Sequence, residues 1–287
     1  MHFISLIITS AIIYIFITFS QPTVAPLHID FLNCGQGDSI LVTLPENITF
    51  LVDTCPDGTI TSNEIKKHMP LLKDTLDIVI LTHPDSDHIA GLPEIMNNFK
   101  IGTLITPSHT IENLSKSMHS ELARKHIPVI PANADHDIMI GNSLLDIIYP
   151  SEGSVPPVIN DNNTSLVMKI ISEGHTILLT GDMEEPLEHM LIEQGFDLSA
   201  EILKGGHHGS KSSTSEEFLN SVKPVVVIFQ NGLHNKYGHP NPEILARISN
   251  KNIPVYNTSI HGNIHVDCMR EKPCSIISEN LYEQSFP

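Results

Sequence analysis

The sequence predicts an α/β fold, a four-layer sandwich in which two β-sheets lie face to face and helices cover both outer surfaces. Short β-branched apolar runs alternate with helix-length segments along the chain. That alternation occurs twice, each time as a β-meander followed by βα units, which gives two sheets rather than one. No Gly/Ser-rich or Pro-rich linker interrupts 27–267, so this stretch reads as one domain.

The elements follow in order. The runs 27–33, 39–44 and 48–54 are separated by turn residues, including the Gly turn 35–38, and predict an antiparallel meander. A helix over 62–73 is opened by a Ser/Asn cap. The apolar strand 77–82 runs into a His/Asp loop and a helix near 91–99. Strand 103–107, helix 112–126 and strand 128–131 make a βαβ-like unit. Strands near 144–149, 164–171 and 175–180 form the second β-rich stretch. Helix 184–194, strand 200–204, helix 215–221, strand 224–229, helix 242–251 and strands 253–257 and 259–266 complete the domain. The tail 268–287 is expected to be a stapled, irregular extension.

Composition narrows the function. The 287 residues are 40% hydrophobic and 17% charged, which excludes a disordered chain, a collagen-like chain and a coiled coil. The formal charge is −17, so polyphosphates are repelled unless metal ions or a local basic patch reverse the field. Seventeen histidines direct attention to metal binding. With no Trp and 5% aromatics, a stacking platform for single-stranded nucleic acid is disfavoured.

The uncharged apolar run Phe3 to Phe19 precedes Thr23-Val24-Ala25, which has the small-x-small form of a signal-peptidase site. Residues 1–25 are therefore expected to be an export signal. No Lys or Arg precedes the run and it is just long enough to span a bilayer, so an uncleaved anchor is the alternative and a buried helix a third reading. Export or anchoring places the folded part, secreted or periplasmic, outside the cytoplasm. Four cysteines without a CxxC pattern agree with an oxidising compartment. Cys268 and Cys274 flank a short loop, and Cys34 and Cys55 each end a strand, so the pairs Cys34–Cys55 and Cys268–Cys274 are expected. The alternative is one bridge and two free buried thiols.

The chemistry lies in three segments. His83, Asp85, Asp87 and His88 form HxDxDH directly after an apolar strand, giving four potential ligands on one rigidly held loop. Two adjacent divalent ions in such a loop can activate a water and stabilise phosphoryl oxygens. The strand 177–180 ends in Gly181-Asp182, a position suited to a bridging carboxylate. The strand before Gly205-Gly206-His207-His208-Gly209 ends in paired histidines; on an extended segment these point to opposite sides, so one binds metal and the other meets substrate or the fold.

With these segments in this order, the chain resembles the metallo-β-lactamase-fold hydrolases, and more narrowly the hydrolase domain of the ComEC competence family. The resemblance covers about 28–266 and rests on HIDFLNCGQGDSILV, FLVDTC, LTHPDSDHIAGL, NNTSLVMKI, ILLTGD, LKGGHHGSKSS and NKYGHPNPEIL. It implies an αββα sandwich of the metallo-β-lactamase type over 26–267 and a free-standing exported relative without the channel's membrane domains. The family's DVGQGD and LIDTG read NCGQGD and LVDTC here; both departures introduce a cysteine, a second reason to pair Cys34 with Cys55.

Roles carry over residue by residue. His83, Asp85, Asp87 and His88 match the first metal motif, Asp182 the bridging carboxylate, and His207 or His208 the last ligand, with His207 preferred as the first of the pair. The middle ligand, usually His, is replaced by the segment Asn160 to Ser165, so one metal is expected to be weaker or exchangeable. Zinc suits the His-rich half and manganese an oxygen-rich one. Asp53, Asp38 and Asn163 are expected to support the ligands from behind. On the loop Asn235 to Pro240, His239 is expected to protonate the leaving group or hold a phosphate, with Lys236 nearby; Tyr237 and Ser210 are candidate substrate contacts. Ser210 to Ser213 can equally be helix capping, and the loop a plain Gly/Pro turn.

The implied function is a metal-dependent phosphodiesterase or nuclease, expected to be a monomer, in which Asp87, His239 and Lys236 assist a metal-activated water. The alternatives are a phosphorylcholine esterase or a lactamase or lactonase, and a non-catalytic binding protein on the same fold. The HxDxDH variant and the HHGS and YGHP segments favour phosphoesters over lactams. The charge of −17 argues against long DNA and for a small phosphodiester, a nucleotide or a choline-bearing polymer.

Overall fold

The computed structural model describes residues 25–69, 73–134, 136–151 and 160–280. The apolar run 3–19 and the last residues of the tail lie outside them. Among the described residues no helix is long and apolar enough to cross a membrane.

Strands β1 (Leu27–Phe31), β2 (Ile40–Thr43) and β3 (Thr49–Val52) form the first meander. They are followed by parallel β4 (Thr75–Ile80), β5 (Lys100–Thr106) and β6 (Val129–Pro131). The second sheet repeats the plan: antiparallel β7 (Ile138–Ile140), β8 (Ser143–Tyr149), β9 (Val167–Ser172) and β10 (His175–Leu179), then parallel β11 (Ile202–Lys204), β12 (Val226–Phe229) and β13 (Val255–Asn257). The chain then returns to the first sheet as β14 (Ile264–Cys268) and β15 (Ser275–Ser278). The first sheet is ordered 15-14-1-2-3-4-5-6 and the second 13-12-11-10-9-8-7.

Side chains two apart share a face of a strand, and this periodicity builds the layers. Ile29, Val42, Phe50, Ile177 and Ile228 meet between the sheets. Leu41, Leu51 and Leu104 face helices Gly58–His68, Leu92–Asn98 and Lys116–Arg124. Leu178, Val227 and Phe229 face helices Glu185–Glu193, Glu216–Val222 and Pro242–Ser249. The result is the expected αββα sandwich.

Several expectations need correction. The first helix begins at Gly58 rather than 62, because Asp57, not a Ser or Asn, caps it by accepting from the Thr59 and Ile60 amides. The helix expected over 112–126 is two, Ser108–Asn113 and Lys116–Arg124, with Ser115 capping the second. The strand expected over 259–266 opens instead as a short helix, Thr258–His261. The described part of the tail, 268–280, is not irregular: beyond the bridge, Ser275–Ser278 pairs antiparallel with β14 and extends the sheet. Both disulfides, Cys34–Cys55 and Cys268–Cys274, are formed.

Candidate metal centre

Every segment of the HxDxDH, GD and GGHHG patterns leaves the carboxyl end of a strand at one rim of the sandwich, the usual place for a site in α/β sheets. His83 follows β4, and His88 sits in the short helix Ser86–Ile89. Asp182 follows β10, where Gly181 has φ +52° and its missing Cβ leaves room for Ser165. His208 follows β11. Asp38 comes from the β1–β2 turn, in which Gly37 has φ +127° and a Cβ would meet the Asp87 carbonyl oxygen at 2.3 Å.

Four imidazoles converge on one carboxylate oxygen. Asp182 Oδ2 lies 3.2 Å from His208 Nε2, 3.3 Å from His88 Nε2, and 3.9 Å from both His83 Nε2 and His207 Nε2. Asp85 and Asp87 complete the rim: Asp85 Oδ2 is 3.7 Å from His83 Nε2, and Asp87 Oδ2 is 3.3 Å from His208 Nε2. His83, His88, Asp182 and His208 are buried, whereas Asp85 and Asp87 reach solvent.

The ring orientations follow from what holds the far nitrogens. His88 Nδ1 donates to Asp53 Oδ2 at 2.7 Å, and His208 Nδ1 donates to the Gln230 carbonyl at 2.8 Å. Both partners are acceptors only, so Nδ1 carries a proton in each ring and Nε2 is left facing Asp182. Asp53 also accepts from the Thr82 amide and hydroxyl, which fixes the start of the metal loop. Such outer partners set the orientation and basicity of metal-binding histidines.

His83 Nε2, His88 Nε2, His208 Nε2 and Asp182 Oδ1 are buried without a hydrogen-bond partner. Buried polar atoms are normally paired, so three inward, unpartnered nitrogens around one carboxylate fit a divalent cation. The ligand atoms of Asp38, His88, Asp182 and His208 all lie within 4.8 Å of one another. The His/Asp cluster is compatible with a dinuclear divalent-metal site.

The electrostatics have the same origin. Burial alone lowers an imidazole's pKa, but Asp182 and Asp53 outweigh it at His88, and Asp182 and Asp38 outweigh it at His208; both stand well above the ordinary value. Burial likewise raises Asp182, and the facing His208 and His88 reverse this to hold it well below the usual carboxylate range. Burial raises Asp87, but the facing His208 and the nearby His88 overcome this and lower it to about 2. The pocket therefore demands positive charge, which protons or a metal cation supply.

The paired histidines differ from the expectation. His207 and His208 both have positive φ in a tight turn, not an extended segment, so they do not point to opposite sides. His208, rather than the preferred His207, belongs to the buried quartet. His207 is part-exposed, with Nδ1 3.3 Å from Glu184. Asp38 lies behind the imidazoles, its Oδ1 3.3 Å from His208 Nδ1 and its Oδ2 4.0 Å from His88 Nδ1. Asn163 stays outside: its Oδ1 accepts from the Glu184 amide and its Nδ2 donates to the Glu184 carboxylate.

Lys236 and Tyr237 line a cleft of about 380 Å³ together with Asp87, with Lys236 Nζ 4.9 Å over the Tyr237 ring. The His239 ring lies 5.6 Å from those of His207 and Tyr237. Burial, then the charges of His207 and His208, lower His239 to about 4. Ser210 bonds Ser212, whose hydroxyl donates to Glu184.

Sequence reasoning missed Lys204, Glu184 and Gln230. The Lys204 ammonium is buried against Asp38 and lies 3.6 Å from Asp182 Oδ1. Desolvation opposes this charge, but Asp38 and Asp182 raise its pKa. A lysine closing the apolar strand before GGHHG was the available signal. Glu184 gathers Asn160, Asn162, Ser212 and His207.

Comparison with known proteins gives three kinds of likeness. A profile of the Metallo-beta-lactamase superfamily matches residues 32–229. ComE operon protein 3 of Bacillus subtilis is 30% identical over 256 residues, 83% of this chain and 32% of that protein. Recombination protein 2 of Haemophilus influenzae is 28% identical over 263 residues, 91% of this chain and 31% of that protein. The chain thus spans about a third of the length of these relatives. Among solved structures, the metallo-beta-lactamase fold protein YhfI from Bacillus subtilis superposes with a TM-score of 0.55 at 15% identity, covering 81% of this chain and 96% of that one.

Proposed function

Because the chain belongs to the metallo-β-lactamase superfamily, we propose that it is a phosphodiesterase whose Asp182-centred cluster holds two divalent metal ions, with zinc at the His-rich half and zinc or manganese at the other. The observation that carries this reading is the convergence of four imidazoles on Asp182 Oδ2, three with inward, unpartnered Nε2 atoms. Within the superfamily we place the chain with the hydrolase domain of the ComEC competence family. The relatives it matches over most of its own length support that placement.

His83, His88, His208 and Asp182 would hold the ions, with Asp85 and Asp87 at the open side. Bound there, divalent ions lower the pKa of a water and take up charge developing on a phosphoryl group. The chain's own groups do the rest. Asp53 and the Gln230 carbonyl keep two imidazoles in the Nδ1–H tautomer. Lys204 neutralises the Asp38 carboxylate from behind. Neutral His239 offers a hydrogen bond to a phosphoryl oxygen rather than a proton to the leaving group. Lys236 and Tyr237 at the mouth contact the non-reacting part of the substrate.

Net charge favours a short or cation-bearing phosphodiester over long duplex DNA. The test is hydrolysis of bis(p-nitrophenyl)phosphate, single-stranded DNA and double-stranded DNA by metal-loaded wild type, His88→Ala and Asp182→Ala. The expected result is hydrolysis in wild type and loss in both variants. Metal bound with no phosphodiester cleaved would overturn the reading.

A further inference from the structure

We propose that His28, Asp30 and His265 form a second metal site, separate from the Asp182 cluster, which takes a divalent transition ion of the zinc class. Two HxD segments make it. His28-Ile29-Asp30 lies on β1 and His265-Val266-Asp267 on the antiparallel β14, in a register that sets His28 opposite Asp267 and Asp30 opposite His265. Ile29 and Val266 point into the core between the sheets, so all four polar side chains project from the outer face. Each imidazole then has a carboxylate directly across the strand pair.

The geometry has the features of a ligand set. Asp30 is fully buried, and its Oδ1 lies 3.0 Å from His28 Nε2 and 2.6 Å from His265 Nδ1. Its Oδ2 is buried with no hydrogen-bond partner. An orphaned, buried carboxylate oxygen is costly, and a cation bound beside it would relieve that cost. Donor atoms of the three residues lie within 4.8 Å of one another. Tetrahedral zinc with bonds of about 2.0–2.1 Å spaces its ligand atoms about 3.3 Å apart, so only small side-chain movements are needed.

Two supports surround this set. Asp267 Oδ1 holds His28 Nδ1 at 2.5 Å, leaving Nε2 towards Asp30. That is the carboxylate–imidazole–metal relay by which proteins fix the tautomer of a ligand histidine. His68 and Glu279 form an overlapping group with His265, so further donors are at hand. Two imidazoles with a carboxylate suit zinc-class ions better than magnesium or calcium. All three proposed ligands fall outside the stretch 32–229 matched by the superfamily profile. Bound metal would clip β1 to its neighbour β14.

The test uses the full chain, stripped with chelator and titrated with Zn²⁺. Bound metal is counted by elemental analysis after desalting, and Tm is read at each Zn²⁺ concentration. Wild type is compared with His28→Gln/His265→Gln and with His83→Ala/Asp182→Asn. The expected result is one equivalent fewer in the His28/His265 variant than in wild type. The variant altered at the other cluster should keep a Tm that climbs with the logarithm of Zn²⁺, and that climb should vanish when the His28/His265 substitutions are added. An equal metal count in wild type and the His28/His265 variant overturns the proposal, as does a Zn²⁺-independent Tm in the His83/Asp182 variant. Should the double glutamine variant fail to fold, Asp30→Asn keeps the shape and removes the charge, and the same loss or retention of one equivalent decides.

Discussion

His88 and His208 present the same nitrogen to the same carboxylate oxygen, yet their far sides are held by different groups, a charged carboxylate and a neutral carbonyl. The difference sets an expectation for Asp53→Asn. An amide can present N–H to Nδ1 and favour the wrong tautomer, so metal affinity should fall about 10–100-fold, measured by competition with a chromophoric chelator. His208→Ala should lose more bound metal and activity than His207→Ala, because only His208 is in the buried quartet; equal losses would contradict this placement. Gly37→Ala puts a Cβ 2.3 Å from the Asp87 carbonyl oxygen at a φ of +127°. Its cost should be at least about 1–3 kcal/mol, read as a lowered Tm. At this scale the sequence was legible where residues cluster along the chain, as in HxDxDH. It was silent on Lys204, Glu184 and Gln230, whose roles exist only once β11, β10 and β12 set their ends side by side.

Helices Glu185–Glu193 and Glu216–Val222 are joined by a buried carboxylate. Glu188 accepts from the Thr214 and Ser215 amides just before the second helix. Desolvation outweighs these bonds and pushes its pKa up to about 7. The folded value exceeds the unfolded one, about 4.3, so protonated Glu188 contributes stability fully present below that pH and lost as pH rises through about 7. Glu188→Gln should therefore flatten the fall in unfolding free energy across that window, followed by urea denaturation at several pH values. An unchanged slope would contradict the assignment. The bridge Cys34–Cys55 spans 21 residues and joins the turn carrying Asp38 to the loop after Asp53. By loop-closure entropy its removal should cost about 3 kcal/mol, seen as a Tm drop for Cys34→Ala/Cys55→Ala. Most elements could be read because their apolar residues keep a regular period. Ser275–Ser278 could not: its sequence Ser-Ile-Ile-Ser has no alternation, and its partner β14 supplies the pairing.

Over the whole molecule the net charge of −17 is carried largely at the surface, where like charges repel in the folded state. Raising ionic strength from low to physiological should raise Tm, since added salt screens that repulsion within about 8–10 Å; a flat or falling Tm would indicate that opposite-charge pairs dominate. The four layers were readable from the repeated meander-then-βα order. The return of the chain to the first sheet was not, because nothing local in 264–278 names a partner on the first strand. That return has a consequence for biosynthesis. Leu27 pairs with Cys268, so β1 finds this neighbour only after the roughly 240 residues between them have been made. Until then the outer side of β1 is an unpaired backbone edge, open to pairing with other chains. A nascent polypeptide stalled or truncated before β14 keeps that edge exposed, and pairing by β14 closes it.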